Sequence, residues 1–211
     1  MKRRLFLQAS LSSAVLVAGG CSTTPPSTFY TLTPIPDASV RDAPLTGGSI
    51  ALGLGPVMFP LFLDRPQIVS RGGANRLTLD EFHRWGGSLQ DDFLRVWSEN
   101  LAHLLGNSKI LVFPSEVRFP LDFRILAEVL TFERTPDGVA ALKVRWSVMD
   151  PYLERLLVSR EGVYRQRVTG SGDDGEALIA AMSRTVGDFS RDVADTVRRL
   201  PKPTSARVQP L

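Results

Sequence analysis

Cysteine and histidine are scarce in this sequence, and both shortages restrict what the protein can do. One cysteine among 211 residues excludes an internal disulfide bond and any zinc or iron–sulfur site built from several cysteines. Two histidines, His83 and His103, are too few for a centre that needs several imidazole ligands. No P-loop is present, and Gly53-Leu54-Gly55 lacks the third glycine and the following helix of a dinucleotide fingerprint. The serines lack a G-x-S-x-G frame as well, so the sequence contains none of these catalytic motifs.

A charge excess is also missing once the first residues are set aside. The formal net charge is +3, but Lys2, Arg3 and Arg4 supply three of the 25 basic residues in an N-terminal stretch without acids. The rest of the chain carries equal numbers of basic and acidic groups, which does not favour nucleic acid as a partner. With 43% hydrophobic and 22% charged residues, the chain fits one folded domain with tails.

The first twenty residues have the features of a secretory signal. Basic residues precede an uncharged apolar stretch from Leu5 to Ala18, which is too short for a permanent membrane-spanning helix. Small residues then lead to Cys21, the position at which lipoprotein signals are cut and the new N-terminal cysteine is acylated. We therefore expect residues 1–20 to be a lipoprotein signal peptide and Cys21 to carry a covalent lipid.

Two details concern the route and the destination. Arg3-Arg4-Leu5-Phe6-Leu7-Gln8 is similar to the core of twin-arginine signals, so general and twin-arginine export both remain open. Ser22 stands where an aspartate tends to retain lipoproteins at the inner membrane, so we expect an outer-membrane lipoprotein facing the periplasm.

Composition divides the remaining chain into three parts. Residues 21–48 are rich in serine, threonine, proline and glycine, which predicts a lipidated tether, and Phe29–Leu32 forms a short strand-like segment within it. Residues 49–200 are patterned as one α/β domain. Residues 201–211 contain three prolines and are expected to form a flexible tail.

Hydrophobic periodicity predicts two amphipathic helices in the domain. The first begins after the N-cap Ser88 and ends before Gly106-Asn107, and the second runs from Gly175 to Leu200. Short strands are predicted at Ile50–Gly55, Gln67–Arg71, Arg76–Leu79, Ile110–Phe113, Leu121–Phe132, Val139–Met149 and Val163–Val168. The economical fold is α/β, with the two helices packed on a mixed, largely antiparallel sheet.

Asp80, Glu81 and His83 form the one cluster that suggests chemistry. In an extended chain Glu81 and His83 share a side, as acid–base or metal-binding residues would. The alternative is a loop whose charges and aromatics, Phe82 and Trp85, dock onto a neighbour. We favour the loop, because neither a third metal ligand nor a nucleophile lies nearby in the sequence.

Other polar residues have simpler interpretations. His103 lies in the first predicted helix, where we interpret it as a surface or edge residue. Four arginines lie near or within the last predicted strand, where Glu154 and Glu161 interleave with them, and we interpret this stretch as a solvated strand face. The four are Arg155, Arg160, Arg165 and Arg167.

One long motif resembles a known family. The run from Gly55-Pro56-Val57 through Leu63-Asp64-Arg65-Pro66-Gln67-Ile68-Val69-Ser70-Arg71, followed by Glu81-Phe82-His83-Arg84-Trp85, is similar to the signature of the ABC-type transport auxiliary lipoproteins, the PqiC-like family. Phe29-Tyr30-Thr31-Leu32, soon after Cys21, resembles the family's opening. The resemblance covers nearly the whole mature chain, although Gly86-Gly87 stands where relatives commonly have bulkier residues.

The resemblance implies an anticodon-binding-domain-like α/β fold and an outer-membrane lipoprotein. It implies as partners an MCE-domain tunnel protein of the periplasm and inner-membrane transporter subunits, and assembly as a homo-oligomeric ring. It implies no catalytic residues and no cofactor beyond the lipid on Cys21.

We therefore expect a non-enzymatic subunit of an intermembrane lipid transport system. Its candidate partner-binding residues are Asp64, Arg65, Arg71, Glu81, His83 and Trp85. Whether Leu63–Arg71 is an interface or a fixed strand entry remains open. The alternatives are an envelope hydrolase or metal enzyme using Glu81 and His83, and a structural scaffold without lipid transport.

Overall fold

A computed structural model describes residues 26–36, 50–106, 109–170 and 174–202. The expected signal peptide, Cys21, most of the tether and the tail from residue 203 lie outside the described residues. In the described part of the chain, no helix is long and apolar enough to cross a membrane.

Eight strands and two helices make up the described residues. The strands are β1 (Thr28–Tyr30), β2 (Leu52–Met58), β3 (Gln67–Gly73), β4 (Arg76–Trp85), β5 (Ile110–Val112), β6 (Phe123–Arg134), β7 (Val139–Met149) and β8 (Leu156–Arg167). The helices are α1 (Leu89–Leu105) and α2 (Asp174–Arg199).

All eight strands belong to one mixed sheet whose centre is β6. On one edge β6 pairs antiparallel with β7, which in turn pairs antiparallel with β8. On the other edge its first half pairs parallel with β2, and β2 pairs parallel with β5. The last residue of β6, Arg134, pairs with Ser70 of β3. β3 pairs antiparallel with β4, and β4 pairs parallel with β1. The two ends of β6 therefore support different groups of strands.

Capping residues and terminal charges mark the ends of the two helices. The Ser88 hydroxyl accepts the N–H of Asp91 at 3.2 Å, and Gly106 adopts a left-handed conformation (φ 63°) that closes α1. Acidic residues occupy the first turn of α2 and arginines its last, which suits the helix dipole.

The core lies between the helices and one face of the sheet, and Phe189 of α2 is at its centre. The Phe189 ring stacks on Trp97 of α1 with centroids 5.0 Å apart, and it contacts Trp146 of β7 at 6.3 Å and Tyr164 of β8 at 5.7 Å. Phe93, Trp97, Trp146 and Phe189 are at most 1% exposed. Burial of these large rings is the main force that holds both helices on the sheet.

The segment after β1 runs between the helices and is held by their polar side chains. The N–H of Leu32 donates to Asp92 at 2.6 Å, and the N–H of Ile35 donates to the buried Asn100 side chain at 2.7 Å. Asn100 in turn donates to the Ser190 hydroxyl of α2 at 3.2 Å. Residues 31–36, which we call the strap, are therefore fixed to both helices.

The expected fold class is confirmed: two amphipathic helices pack on a mixed α/β sheet. The antiparallel pairs are the longest, although among the described strands four of the seven pairings are parallel. Both helices and the β6–β7 hairpin lie within two residues of their predicted bounds.

Four strands are longer than the sequence predicted, of which β3 gains only Gly72 and Gly73. Asp80–Trp85 was expected to be a loop, but β4 continues through it because pairing with β1 and β3 supports a bulged strand. β2 continues past Pro56 to Met58, because a register shift between Leu54 and Val57 accommodates the proline. β8 begins at Leu156 rather than Val163, because β7 pairs with its whole length.

Candidate functional site

The Leu63–Arg71 motif forms the end of the loop after β2 and most of β3. Its apolar side chains are buried in the core, with Leu63, Ile68 and Val69 each at most 3% exposed. The loop closes on itself because the N–H of Asp64 donates to the carbonyl of Leu61 at 3.2 Å. The side chain of Asp64 is exposed, so this motif combines a structural apolar side with one accessible carboxylate.

The same loop is joined to the end of β4. The N–H of Trp85 donates to the carbonyl of Pro66 at 2.7 Å, and the Trp85 ring is 5% exposed. Arg65 is half-buried, and its Nε has no hydrogen-bond partner among the described residues. The ring of Trp85 therefore belongs to the core, and the Nε of Arg65 that has no partner is itself buried.

Arg71 is held by a buried carboxylate. Its Nε and Nη2 donate to the two Glu133 oxygens at 2.5 and 3.1 Å, and Glu133 is 3% exposed. This two-point ion pair joins β3 to the end of β6, and it commits the Arg71 guanidinium to the fold.

Asp80 and His83 form a close pair in the bulge of β4. The bulge arises because Gln67 pairs with Arg84 whereas Ile68 pairs with Asp80, which leaves three extra residues on β4. The Asp80 carboxylate contacts Nδ1 of His83 at 2.7 Å and accepts the backbone N–H of Phe82 and His83. Burial alone raises the pKa of Asp80, but these hydrogen bonds from His83 and Phe82 outweigh it and hold the pKa below its usual value.

Glu81 and His83 are not brought together. Glu81 is exposed and accepts from Gln67 at 3.4 Å and lies 3.5 Å from Arg84, whereas His83 faces Asp80 and the Tyr30 ring, 5.8 Å away. A carboxylate that orients an imidazole, as Asp80 orients His83, is one component of an acid–base site. Within the residues that the structure describes, no three histidine, cysteine or carboxylate side chains converge as metal ligands.

The four arginines near β8 have separate environments. Arg160 contacts Asp192 and Thr196 of α2 and lies over the Trp146 ring, 5.9 Å from its centroid. Arg165 and Arg167 are exposed at the other end of β8, and Arg155 is exposed in the turn before it. The four therefore do not form one basic patch.

A cleft of about 800 Å³ lies at the start of β6, and sequence reasoning did not identify it. Its walls are the segment 113–122, of which residues 114–120 were predicted as neither strand nor helix, and the turn 150–155 between β7 and β8. Several apolar side chains near it are exposed, including Val117 at 63% and Tyr152 at 74%. The two prolines in 113–122 and the exposed apolar residues were the available signal.

The floor of the cleft is built on Gly53. A side chain at Gly53 would clash, since a Cβ there would lie 2.7 Å from Cδ of Arg124 and 2.8 Å from both Leu121 and Phe113. The Arg124 guanidinium lies over the Phe113 ring, 3.7 Å from its centroid, and donates to the carbonyl of Gly55 at 3.1 Å. Burial lowers the pKa of Arg124. The Gly53-Leu54-Gly55 stretch thus allows the Arg124 side chain to pack closely against β2, and this packing explains the glycines without a nucleotide.

Comparison with solved structures supports the fold. An uncharacterized protein of known crystal structure has a TM-score of 0.65 at 14% identity, covering 82% of this chain and 99% of its own. Protein XCC0632 from Xanthomonas campestris has a TM-score of 0.59 at 16% identity, covering 81% of this chain and 94% of its own. At such identities the likeness concerns the fold alone. No protein of curated function matches the chain in sequence.

The family is shown by sequence. The family model of the ABC-type transport auxiliary lipoprotein component matches residues 30–194, from β1 to the last third of α2. The match includes the strap, the Leu63–Arg71 motif, the bulge of β4 and the cleft. This chain therefore belongs to the family of ABC-type transport auxiliary lipoprotein components.

Proposed function

We propose that this protein is a non-enzymatic outer-membrane lipoprotein that docks the periplasmic MCE-domain tunnel of an intermembrane lipid transport system. The observation that carries the proposal is the family match over residues 30–194, which associates the chain with an ABC-type transporter. Inner-membrane transporter subunits complete the proposed assembly, and this protein supports envelope integrity by keeping the tunnel at its outer-membrane end. A homo-oligomeric ring is part of the same proposal.

The position of the N-terminus supports a short and directed anchor. Six residues separate Cys21 from Thr28, and the seven steps between them span at most about 25 Å when fully extended. A lipid on Cys21 would hold the start of β1 within that distance of the membrane surface. Several acyl chains make such anchoring effectively permanent.

The proposed docking surface is the edge formed by the loop after β2 and the bulge of β4. Asp64 and Glu81 present exposed carboxylates there, and Arg65 and His83 are half-buried beside them. Arg71 and Trp85 support this edge from below through the Glu133 ion pair and through core packing. The proposal thus assigns contact to the exposed residues and support to the buried ones.

In-cell crosslinking of the native lipoprotein, followed by mass spectrometry, tests the proposal. We expect capture of an MCE-domain protein, weakened in Cys21→Ala because the unanchored protein leaves the membrane. The double variant Asp64→Ala, Glu81→Ala should reduce capture. Its matched control is Asp91→Ala, Glu99→Ala, which removes two exposed carboxylates from α1. A folded, correctly localised wild-type protein that captures no such partner contradicts the proposal.

An envelope enzyme is the second candidate, favoured by the 2.7 Å contact between Asp80 and His83. It predicts that His83→Ala abolishes function while folding and partner capture stay intact. A scaffold without transport is distinguished by lipid exchange between the membranes, which deletion of the protein would leave unchanged.

A further inference from the structure

Arginines line the cleft at the start of β6 on three sides. Arg124 lies on its floor, Arg118 on the 113–122 wall and Arg155 on the 150–155 wall. In the described part of the chain, none of the three forms an ion pair with a carboxylate, although most arginines elsewhere do. Arg118 and Arg155 are exposed, so their donors are accessible.

The carboxylates of the cleft are mostly engaged with other groups. Asp122 accepts the N–H of Ala51 at 2.8 Å and pairs with Lys202 at 3.4 Å. Asp150 caps the turn by accepting the N–H of Tyr152 and of Glu154. Among the lining residues Glu154 is the exposed carboxylate, and the exposed Glu116 lies on the same 113–122 wall as Arg118. Three arginines therefore face two exposed carboxylates, Glu154 and Glu116, and this balance favours an anionic ligand.

Apolar side chains lie next to these guanidinium groups. Leu111, Phe113, Phe119 and Leu121 line the cleft, and the exposed Val117 and Tyr152 extend its apolar surface outwards. A volume of about 800 Å³ is in the range of small-molecule sites. Arginines suit phosphate oxygens because the planar fork offers two parallel donors. A ligand that satisfies both parts carries a phosphate and a hydrocarbon chain.

We propose that this cleft binds an anionic phospholipid, with its phosphate between Arg118 and Arg155 and acyl carbons against the apolar walls. Arg124, fixed over Phe113 and hydrogen-bonded to Gly55, adds positive charge at the floor. The inference deepens the proposed function, on which it rests, by naming a lipid class and a place for it on this subunit.

The placement of the cleft suits receipt of a lipid from a partner. β2, which borders the cleft, pairs with the first half of β6, and β5 pairs with β2. β1 is joined through β4 to β3, and β3 pairs with β6 at Arg134, the last residue of β6. β6 spans about 40 Å. β1, where the described chain begins, lies towards the end of β6, so it and the cleft are at opposite ends of the sheet.

Titration of the native detergent-solubilised lipoprotein with fluorescent phosphatidylglycerol tests the proposal. In Arg118→Gln, Arg155→Gln we expect binding to weaken about tenfold or more, since two charge-assisted contacts are lost. Glu154→Gln should tighten binding about two- to threefold, because it removes an opposing charge. The matched control is Arg165→Gln, Arg167→Gln, which makes the same charge change at the other end of β8 and should leave binding unchanged. Thermal unfolding followed by circular dichroism verifies that each variant is folded.

Competition identifies the ligand. Unlabelled phosphatidylglycerol should displace the probe, whereas glycerol phosphate without acyl chains and phosphatidylcholine without net charge should displace it poorly. Full displacement by glycerol phosphate would reduce the site to one for free phosphate, and displacement by an acidic peptide alone would make it a protein-docking site; either overturns the proposal. Equal weakening in the control variant would also overturn it. The Arg118→Gln, Arg155→Gln variant should capture the partner as well as wild type does. This result distinguishes failure of the lipid-binding proposal from failure of the proposed docking function.

Discussion

The Arg71–Glu133 ion pair distinguishes a structural role of the family motif from a contact role. Arg71→Ala leaves the carboxylate of Glu133, 3% exposed, without either of its two charged hydrogen bonds. Breaking a buried pair on one side costs about 3–5 kcal/mol. Because 26% of the Arg71 side chain is exposed, water can enter the space it leaves, so we expect the lower end, about 3 kcal/mol.

Thermal or urea unfolding followed by circular dichroism measures this loss. For a domain of this size, about 3 kcal/mol lowers the Tm by roughly 6–12 °C. Arg71→Lys keeps the charge but not the two-point geometry, and it should lie between wild type and Arg71→Ala. Arg76→Ala is the matched control, because the exposed Arg76 donates only to the carbonyl of Gly72 among the described residues, and its loss should cost under about 0.5 kcal/mol.

A double-mutant cycle completes the argument. Glu133→Gln with Arg71→Ala should recover part of the loss, since the buried charge is then removed with its partner. If Arg71→Ala changes stability by less than about 0.5 kcal/mol but abolishes capture of the partner, the structural account is refuted and Arg71 is a contact residue.

Three further changes test other parts of the structure. Asn100→Ala leaves the buried N–H of Ile35 without its acceptor and should cost about 2–3 kcal/mol, with faster hydrogen exchange confined to the strap; unchanged exchange would contradict its role. Tyr164→Phe removes the hydroxyl that donates to Asp192 at 2.7 Å, and urea unfolding should show a loss of about 1 kcal/mol, whereas no loss would make that bond dispensable. Because the pKa of Asp80 is lowered in the folded state, its ionised carboxylate stabilises the fold above about pH 4, and this contribution is lost as the pH falls further. Asp80→Asn should therefore be less stable than wild type at pH 7 and similar to it near pH 2. The difference at pH 7 should be small, because 43% of the Asp80 side chain is exposed.

The helices were predictable because their signals are local. Ser88 and Gly106 mark the ends of α1 by cap chemistry, and the apolar stripe of α2 recurs every three or four residues. The strands were less predictable, since a strand is stabilised by partners distant in sequence. β4 shows this at Asp80–Trp85, where pairing with β1 and β3 turned an expected loop into a bulged strand.

The candidate residues of the motif also have roles that depend on partners distant in sequence. The sequence presented Arg71, Glu81 and Trp85 as equivalent polar or aromatic members of one motif. Folding buried Trp85, paired Arg71 with Glu133 and left Glu81 exposed. Such a division depends on which strand lies alongside, and a single sequence without its pairings does not contain that information.

By itself the sequence determined the family, the two helices, the α/β class and the expectation of a lipid on Cys21, because each is written in adjacent residues or fixed spacing. Only the tertiary structure decided which motif residues are accessible and that Arg118, Arg124 and Arg155 line one cleft. These arginines lie on three segments up to 37 positions apart in sequence. Their convergence follows from the pairing of β6 with β2 on one side and β7 on the other, and pairing is a property of the whole fold.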